Sequence, residues 1–141
     1  MKKTMKLSAL LATLLCLLVC FCSCSTYGSV FKAFEKEGYY ESDTVATYVE
    51  KVKNYLTYTD EEGNEVEPNV TLHVIYKDIT HYAVIADYKT TKEMEEQYKN
   101  STDFKNLVNS LEKSDRVNGT CVLLLESTIL SHEILDIFKN A

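Results

Sequence analysis

The chain has 141 residues, with 15 basic and 21 acidic side chains and a formal net charge of −6. This length fits a single domain, and the acidity argues against nucleic-acid binding, which requires lysine and arginine to neutralise phosphates. Four glycines in the whole chain, none of them in a glycine-rich motif, exclude a loop that cradles phosphates.

The N-terminal residues form a segment of their own. Lys2, Lys3 and Lys6 precede an almost purely apolar stretch at 7–21, the layout of a secretory signal peptide. Because the lysines resist translocation, we expect the rest of the chain on the outer side of the membrane. The apolar stretch is short for a membrane-spanning helix, which needs about 20 residues. Cleavage is therefore favoured over an uncleaved signal anchor, which remains the alternative.

A short motif follows the apolar stretch, Phe21-Cys22-Ser23-Cys24. It resembles the lipobox of bacterial lipoprotein signal peptides, in which an aliphatic residue and two small residues precede the cysteine that receives a diacylglyceryl group. The resemblance implies cleavage before Cys24 and lipidation of Cys24, with Cys22 as the alternative site. A diacylglyceryl cysteine supplies two acyl chains, which suffice for stable membrane anchoring.

The resemblance covers residues 1–24 only and divides the chain into three parts. We expect a signal peptide at 1–23, a lipidated N-terminus and tether at 24–28, and one domain at 29–141 on the extracytoplasmic face of the membrane. Without the three signal lysines, 12 basic residues remain against 21 acidic ones, a net charge of −9. Such a charge would keep the domain away from anionic lipid, projecting on its tether.

Two helices are predicted at the start of the domain. Apolar residues follow a helical spacing from Tyr27 to a left-handed cap at Gly38, and again from an N-cap at Asp43 to Tyr58, after a short link. The acidic stretch 60–69 indicates a solvated turn.

The pattern then changes to the alternation of β-strands. We predict a hairpin from Val70 to Tyr88 with Lys77 opposite His81, so that one face carries only apolar and tyrosine side chains and meets the helices. The other face is expected to point outward.

The sequence pattern of the C-terminal third predicts a helix, a strand and a final helix. Thr90 and Glu93 match a capping box for a helix that reaches about Lys113, with a break near 100–103. The continuous apolar run 121–125 indicates an interior strand, since both of its faces would be covered. The last helix begins at Ser127 or Thr128.

The predicted fold is α+β, with the order ααββαβα in two layers and a small three-stranded mixed sheet packed against helices. A right-handed crossover would set the last strand parallel to the second hairpin strand and beside the first.

Tyrosine is the most distinctive residue type, since the chain has ten tyrosines and no tryptophan. Tyrosine combines contact area with a polar tip and is enriched in binding surfaces. The competing interpretation is that tyrosines fill boundary positions of a small core. The candidates for a shared binding patch lie near element ends: Tyr39, Tyr40, Tyr55, Tyr58, Tyr88 and Tyr98.

Candidates for chemistry are few. His73 and His81 share the outer face of the predicted hairpin with Asp87 nearby, a combination of ordinary zinc ligands, although surface histidines are the simpler interpretation. Cys121 opens an apolar run, where a thiol is normally inert. There is no Gly-x-Ser-x-Gly turn for a serine nucleophile.

These observations favour a non-enzymatic module that binds an envelope protein or a peptide, without a cofactor and without nucleic acid. The alternative is a small metal-dependent or hydrolytic envelope enzyme that uses His73, His81 or Asp87.

Overall fold

The computed structural model describes residues 26–43 and 45–141, so the predicted signal peptide and Cys24 lie outside the described residues. Within the described residues the chain forms five α-helices and seven strands. In chain order they are α1 (Thr26–Lys36), β1 (Tyr40–Glu41), α2 (Val45–Val52), β2 (Tyr58–Thr59), β3 (Glu65–Val66), β4 (Val70–Asp78), β5 (His81–Tyr88), α3 (Thr91–Asn100), α4 (Thr102–Val108), β6 (Val117–Asn118), β7 (Cys121–Glu126) and α5 (Ser131–Lys139). Short 3-10 turns follow α2 and precede α5.

The main sheet has five antiparallel strands in the order β1-β4-β5-β7-β6. The predicted hairpin is confirmed in register, because Tyr76 pairs with Tyr82 and Val70 with Tyr88. The register departs from the prediction only at the turn, where Asp78 rather than Lys77 pairs with His81 and a β-bulge results. The strand at 121–126 is interior, as expected, since it lies between β5 and β6.

The predicted direction of the last strand is wrong. β7 pairs antiparallel with β5, with Cys121 opposite Asp87, and does not touch β4. The reason is the break at Ser101, which divides the connecting helix into α3 and α4. The Ser101 side chain accepts a hydrogen bond from the Phe104 backbone and starts a new helix. The chain leaves β5 at Tyr88 and enters β7 at Cys121, opposite Asp87, so the connection through α3 and α4 starts and finishes at the same end of the sheet.

Helices cover both faces of the sheet. α1 and α5 pack on one face around Phe34 and Phe138, and α2, α3 and α4 pack on the other around Val52 and Phe104. The α+β class is confirmed, but the sheet is a middle layer, where the sequence suggested helices on one face only. Each fully buried apolar side chain of this size stabilises the fold by about 1.5–3 kcal/mol, so both helix layers contribute to stability.

Three boundaries differ from the expectations. α1 begins at Thr26, so residues 26–28 of the expected tether at 24–28 are helical. α2 ends at Val52, and the segment 58–66 forms a small separate hairpin of β2 and β3. None of the helices in residues 26–43 and 45–141 is both long and apolar enough to cross a bilayer.

Candidate binding surface

Four tyrosines gather at the hairpin end of the sheet, on the face covered by α2. Tyr76 lies opposite Tyr82 across β4 and β5 and opposite Tyr40 across β1 and β4. The rings of Tyr40 and Tyr76 meet edge to face at a centroid distance of 5.8 Å. Tyr48 of α2 lies 5.2 Å from Tyr82. We call Tyr40, Tyr48, Tyr76 and Tyr82 the tyrosine cluster.

The tyrosine cluster is open to solvent on one side. Tyr40 is 52 % exposed, and the other three side chains are half-buried. Partial burial, followed by the neighbouring Tyr76 and Tyr82, raises the pKa of Tyr48 above its ordinary value. A tyrosine hydroxyl is protonated at neutral pH even at that ordinary value, so it can donate a hydrogen bond. Lys51 lies over the Tyr48 ring, with Nζ 5.4 Å from the centroid.

Two exposed isoleucines lie at the same end of the molecule. Ile79 is 82 % exposed at the tip of the β4–β5 turn, and Ile129 is 76 % exposed in the turn after β7. The backbone of Ser127 donates a 3.1 Å hydrogen bond to the Tyr82 carbonyl, which holds that second turn next to β5. Single exposed apolar side chains are common on protein surfaces, so the isoleucines add to the candidate surface only through their position at the hairpin end of the sheet.

An apolar groove borders the same helix. It has a volume of about 280 Å³ and lies between α2 and the first half of β4. The groove is lined mainly by the apolar side chains of Val49, Leu56, Val70 and Leu72. The charged side chains of Glu50 and Lys53 also border it.

The structure does not bring the six predicted tyrosines into one patch. Tyr39 and Tyr88 are 3 % and 1 % exposed, in the cores on opposite faces of the sheet. This corrects the prediction for both, because a side chain in the core has no contact area left for a partner. Tyr40 alone of the six belongs to the tyrosine cluster.

The remaining three predicted tyrosines surround α3. The hydroxyl of Tyr98 donates a 2.9 Å hydrogen bond to the Asn109 carbonyl, and the backbone carbonyl of Tyr55 accepts one from Gln97. Tyr58 lies half-buried in β2. The Tyr98 side chain thus connects α3 to the end of α4, as the packing interpretation of the tyrosines expects, whereas Tyr55 makes its contact through the backbone.

Sequence reasoning missed Tyr48, Tyr76 and Tyr82, although the signal was present. The hairpin register predicted above already places Tyr76 opposite Tyr82 on the face that meets the helices. The helical spacing of α2 places Tyr48 on that same face.

The histidines of the suggested zinc site are apart. His73 lies opposite Ile85, whereas His81 is four residues further along β5, a separation of about 13 Å along the strand. Within the described ranges, no group of three or more histidine, cysteine, aspartate or glutamate side chains is arranged to hold a metal ion. The expectation that this face of the hairpin points outward is also wrong, because α1 and α5 cover it.

Each histidine of the hairpin has a partner of its own. His73 stacks on Tyr27 at a centroid distance of 3.5 Å, and its Nδ1 lies 2.5 Å from a carboxylate oxygen of Glu41. Nδ1 of His81 lies 2.7 Å from Asp78. The hydrogen bond from His81, with further bonds from Thr80, lowers the pKa of Asp78 to about 2. These contacts tie β4 to α1, to β1 and to its own turn.

Asp87 and Cys121 lie side by side below α1. The Thr120 hydroxyl is 3.3 Å from Asp87, and the thiol of Cys121 is 3.8 Å from the same oxygen. Burial, followed by the charge of Asp87, raises the pKa of Cys121 to about 12. The thiol is thus protonated and enclosed at neutral pH, as its interpretation as a packed side chain predicted.

Comparisons with known proteins give no match: no family model, no curated protein and no solved structure is similar to this chain.

Proposed function

We propose that this chain is a bacterial envelope lipoprotein, anchored through Cys24, whose extracytoplasmic domain binds a protein or peptide through the tyrosine cluster. The anchoring part is supported by the charged, apolar and lipobox-like order of residues 1–24. The binding part is supported by one observation, the gathering of four partly exposed tyrosines with Ile79 and Ile129 at one end of the domain.

Tyrosine surfaces bind well for a physical reason. A tyrosine side chain has only two rotatable bonds, so it buries a large area at little entropic cost and still offers a hydroxyl for a hydrogen bond. Tyr40 and Tyr82 are held in place by ring contacts with Tyr76 and Tyr48, which reduces that cost further. The net charge of −9 favours a partner that is neutral or basic over a polyanion.

The enzymatic alternative has less support. It needs convergent polar groups, whereas His73 and His81 each contact a separate carboxylate. A nucleophilic role for Cys121 would require an accessible thiolate, and this thiol is fully buried.

Lipidation is tested by replacing Cys24 with alanine. We expect wild type to be found in the membrane fraction with the mass of a diacylglyceryl-modified chain, and Cys24→Ala to lose both the modification and the cleavage. Cys22→Ala is the matched control and should behave as wild type. If Cys24→Ala remains modified, the anchoring site is elsewhere.

Binding is tested by a photo-crosslinking side chain placed at Tyr40 in the native, membrane-tethered protein in cells. The control position is Asn106 on α4, which is exposed. α4 packs through Phe104 on Tyr88, at the end of β5 that is distant from the tyrosine cluster. We expect one defined protein to be captured from position 40 and not from 106, and capture by Ile79 crosslinking to be lost in a Tyr40→Ser/Tyr76→Ser variant. Equal capture from both positions, or capture that the double variant leaves unchanged, contradicts the proposal.

A further inference from the structure

The N-terminus of the domain is fixed from its first described residue. Thr26 starts α1 and packs so tightly on the β6–β7 turn that a Cβ at Gly119 would lie 2.5 Å from its hydroxyl oxygen. Tyr27 stacks on His73 of β4. Only the covalent link through Ser25 separates this packed helix from Cys24. We call the end of the domain formed by the start of α1 and the β6–β7 turn the anchor end.

So short a link restricts the position of the domain. Two residues of extended chain span at most about 7 Å, which is about the width of one headgroup layer. A lipid on Cys24 therefore holds Thr26 at the membrane surface. The expectation of a domain that projects on a tether does not fit this geometry, because residues 26–28 are helical.

The tyrosine cluster lies at the opposite end of the sheet. Cys121 and Asp87 share the row of the sheet that contains Thr71, next to the anchor end. Tyr76 lies five residues further along β4, which places the tyrosine cluster about 17 Å beyond that row. α1 runs the same way, since Gly38 after its end lies beside the Lys77 side chain.

The C-terminal end of α5 belongs to the anchor end as well. Asn118 of β6 donates a 2.8 Å side-chain hydrogen bond to the Phe138 carbonyl, which places the exposed Lys139 and Asn140 beside the β6–β7 turn. The charges at this end are mixed, because Lys89, Lys92 and Lys139 are accompanied by five carboxylates: Asp87, Asp115, Asp136, Glu67 and Glu93. The orientation therefore rests on the short link to Cys24 and not on charge.

We infer that the anchor end is a membrane-contacting surface, which turns the β6–β7 turn toward the lipid headgroups and the tyrosine cluster away from them. This orientation rests on the proposed lipidation of Cys24. With this orientation the tyrosine cluster faces away from the lipid headgroups. A partner that binds the cluster must therefore approach from the aqueous side of the domain.

The test compares two fluorophore positions in the full, cell-processed protein. The mature chain keeps only an acylated Cys24 and a buried Cys121, so a cysteine introduced by Asn140→Cys or Ile79→Cys is the reactive thiol. Each labelled protein is placed in phosphatidylethanolamine and phosphatidylglycerol vesicles that carry a headgroup-attached quencher. We expect quenching to be several-fold stronger at position 140 than at 79.

The matched control inserts a 20-residue glycine–serine spacer between Ser25 and Thr26. Such a spacer has a root-mean-square length of about 25 Å, so the difference between the two positions should disappear. Equal quenching at 79 and 140 without the spacer, or stronger quenching at 79, overturns the orientation. The mass of the same preparation separates the two proposals: an unmodified Cys24 refutes the anchoring and the orientation together, whereas a modified Cys24 with equal quenching refutes the orientation alone.

Discussion

The two faces of the sheet differ in the polar contacts that accompany their apolar cores. On the face under α1 and α5, Arg116 and Glu126 form an ion pair whose side chains are 23 % and 9 % exposed. Arg116 donates two hydrogen bonds to Glu126, at 2.6 and 2.7 Å, and the Ser131 hydroxyl donates a third at 3.0 Å. On the face under α2, α3 and α4, the fully buried amide of Gln97 accepts a hydrogen bond from the Tyr88 hydroxyl and donates one to the Tyr55 carbonyl. Both faces are packed around apolar side chains, and the polar contact is ionic on one face and neutral on the other.

The difference shows how polar groups are used inside a small domain. Apolar burial is non-directional, so it stabilises many arrangements of the same helices. A paired charge is favourable only in one geometry, and its loss is costly, so Arg116 and Glu126 specify how β6, β7 and α5 meet. Arg116 is the only arginine of the chain, and a lysine could not make this two-point contact.

The largest effect is expected from removing one partner of the ion pair. Arg116→Ala leaves Glu126, which is 9 % exposed, without its counter-charge, and should lower the free energy of unfolding by about 3–5 kcal/mol. Urea denaturation measures this loss of free energy of unfolding. The matched variant Arg116→Met/Glu126→Leu removes both charges and should recover most of the loss. If both variants lose equally, packing rather than pairing dominates this face as well.

A smaller effect distinguishes two buried tyrosine hydroxyls, those of Tyr88 and Tyr39. On the face under α2, α3 and α4, the Tyr88 hydroxyl donates to Gln97, so Tyr88→Phe leaves a buried acceptor unpaired and should cost about 1–3 kcal/mol. On the other face, the buried Tyr39 hydroxyl has no hydrogen-bond partner among residues 26–43 and 45–141. Tyr39→Phe should therefore be neutral or stabilising. Thermal unfolding of the two variants checks this, and an equal loss in both would contradict the assignment.

The smallest expected effect is the loss of stability at acid pH that comes from Asp78 in the β4–β5 turn. The folded-state pKa of Asp78 is lowered to about 2, below its ordinary value, so its contribution to stability is present above about pH 4 and is lost as the pH falls toward 2. Asp78→Asn should make the unfolding free energy less dependent on pH in this range. Denaturation at pH 4 and pH 2.5 measures it, with Asp103→Asn on α4 as the exposed control. If the free energy of unfolding falls equally with pH in wild type and in Asp78→Asn, this carboxylate does not contribute to the pH dependence.

The local part of the fold follows from sequence. Strict alternation at 70–88 fixes both the register of the hairpin and the face that carries Tyr76 and Tyr82. The helix break near Ser101 follows from its capping hydroxyl.

The parts that sequence reasoning missed depend on contacts distant along the chain. Polar residues such as His73 normally mark a solvent face, but here a tyrosine of α1 and a carboxylate of β1 enclose it. The direction of β7 depends on where the chain returns after α4, which no local pattern encodes. The tyrosine cluster required four elements, β1, α2, β4 and β5, to be placed together. The position of Tyr48, Tyr76 and Tyr82 on their own elements was predictable from sequence, whereas the contacts between the elements were not.

The edges of the sheet have a consequence for the way a further strand could add to it. β1 pairs with β4 only at Ile75 and Tyr76, followed by the hydrogen bond from the Ser42 backbone to the Val74 carbonyl. β4 is nine residues long, so within the described residues its first four residues, 70–73, have a strand partner on one side only. An unpaired strand edge is a template on which another extended segment can add hydrogen bonds. The start of β4 is therefore the stretch of the sheet that is open to such an addition.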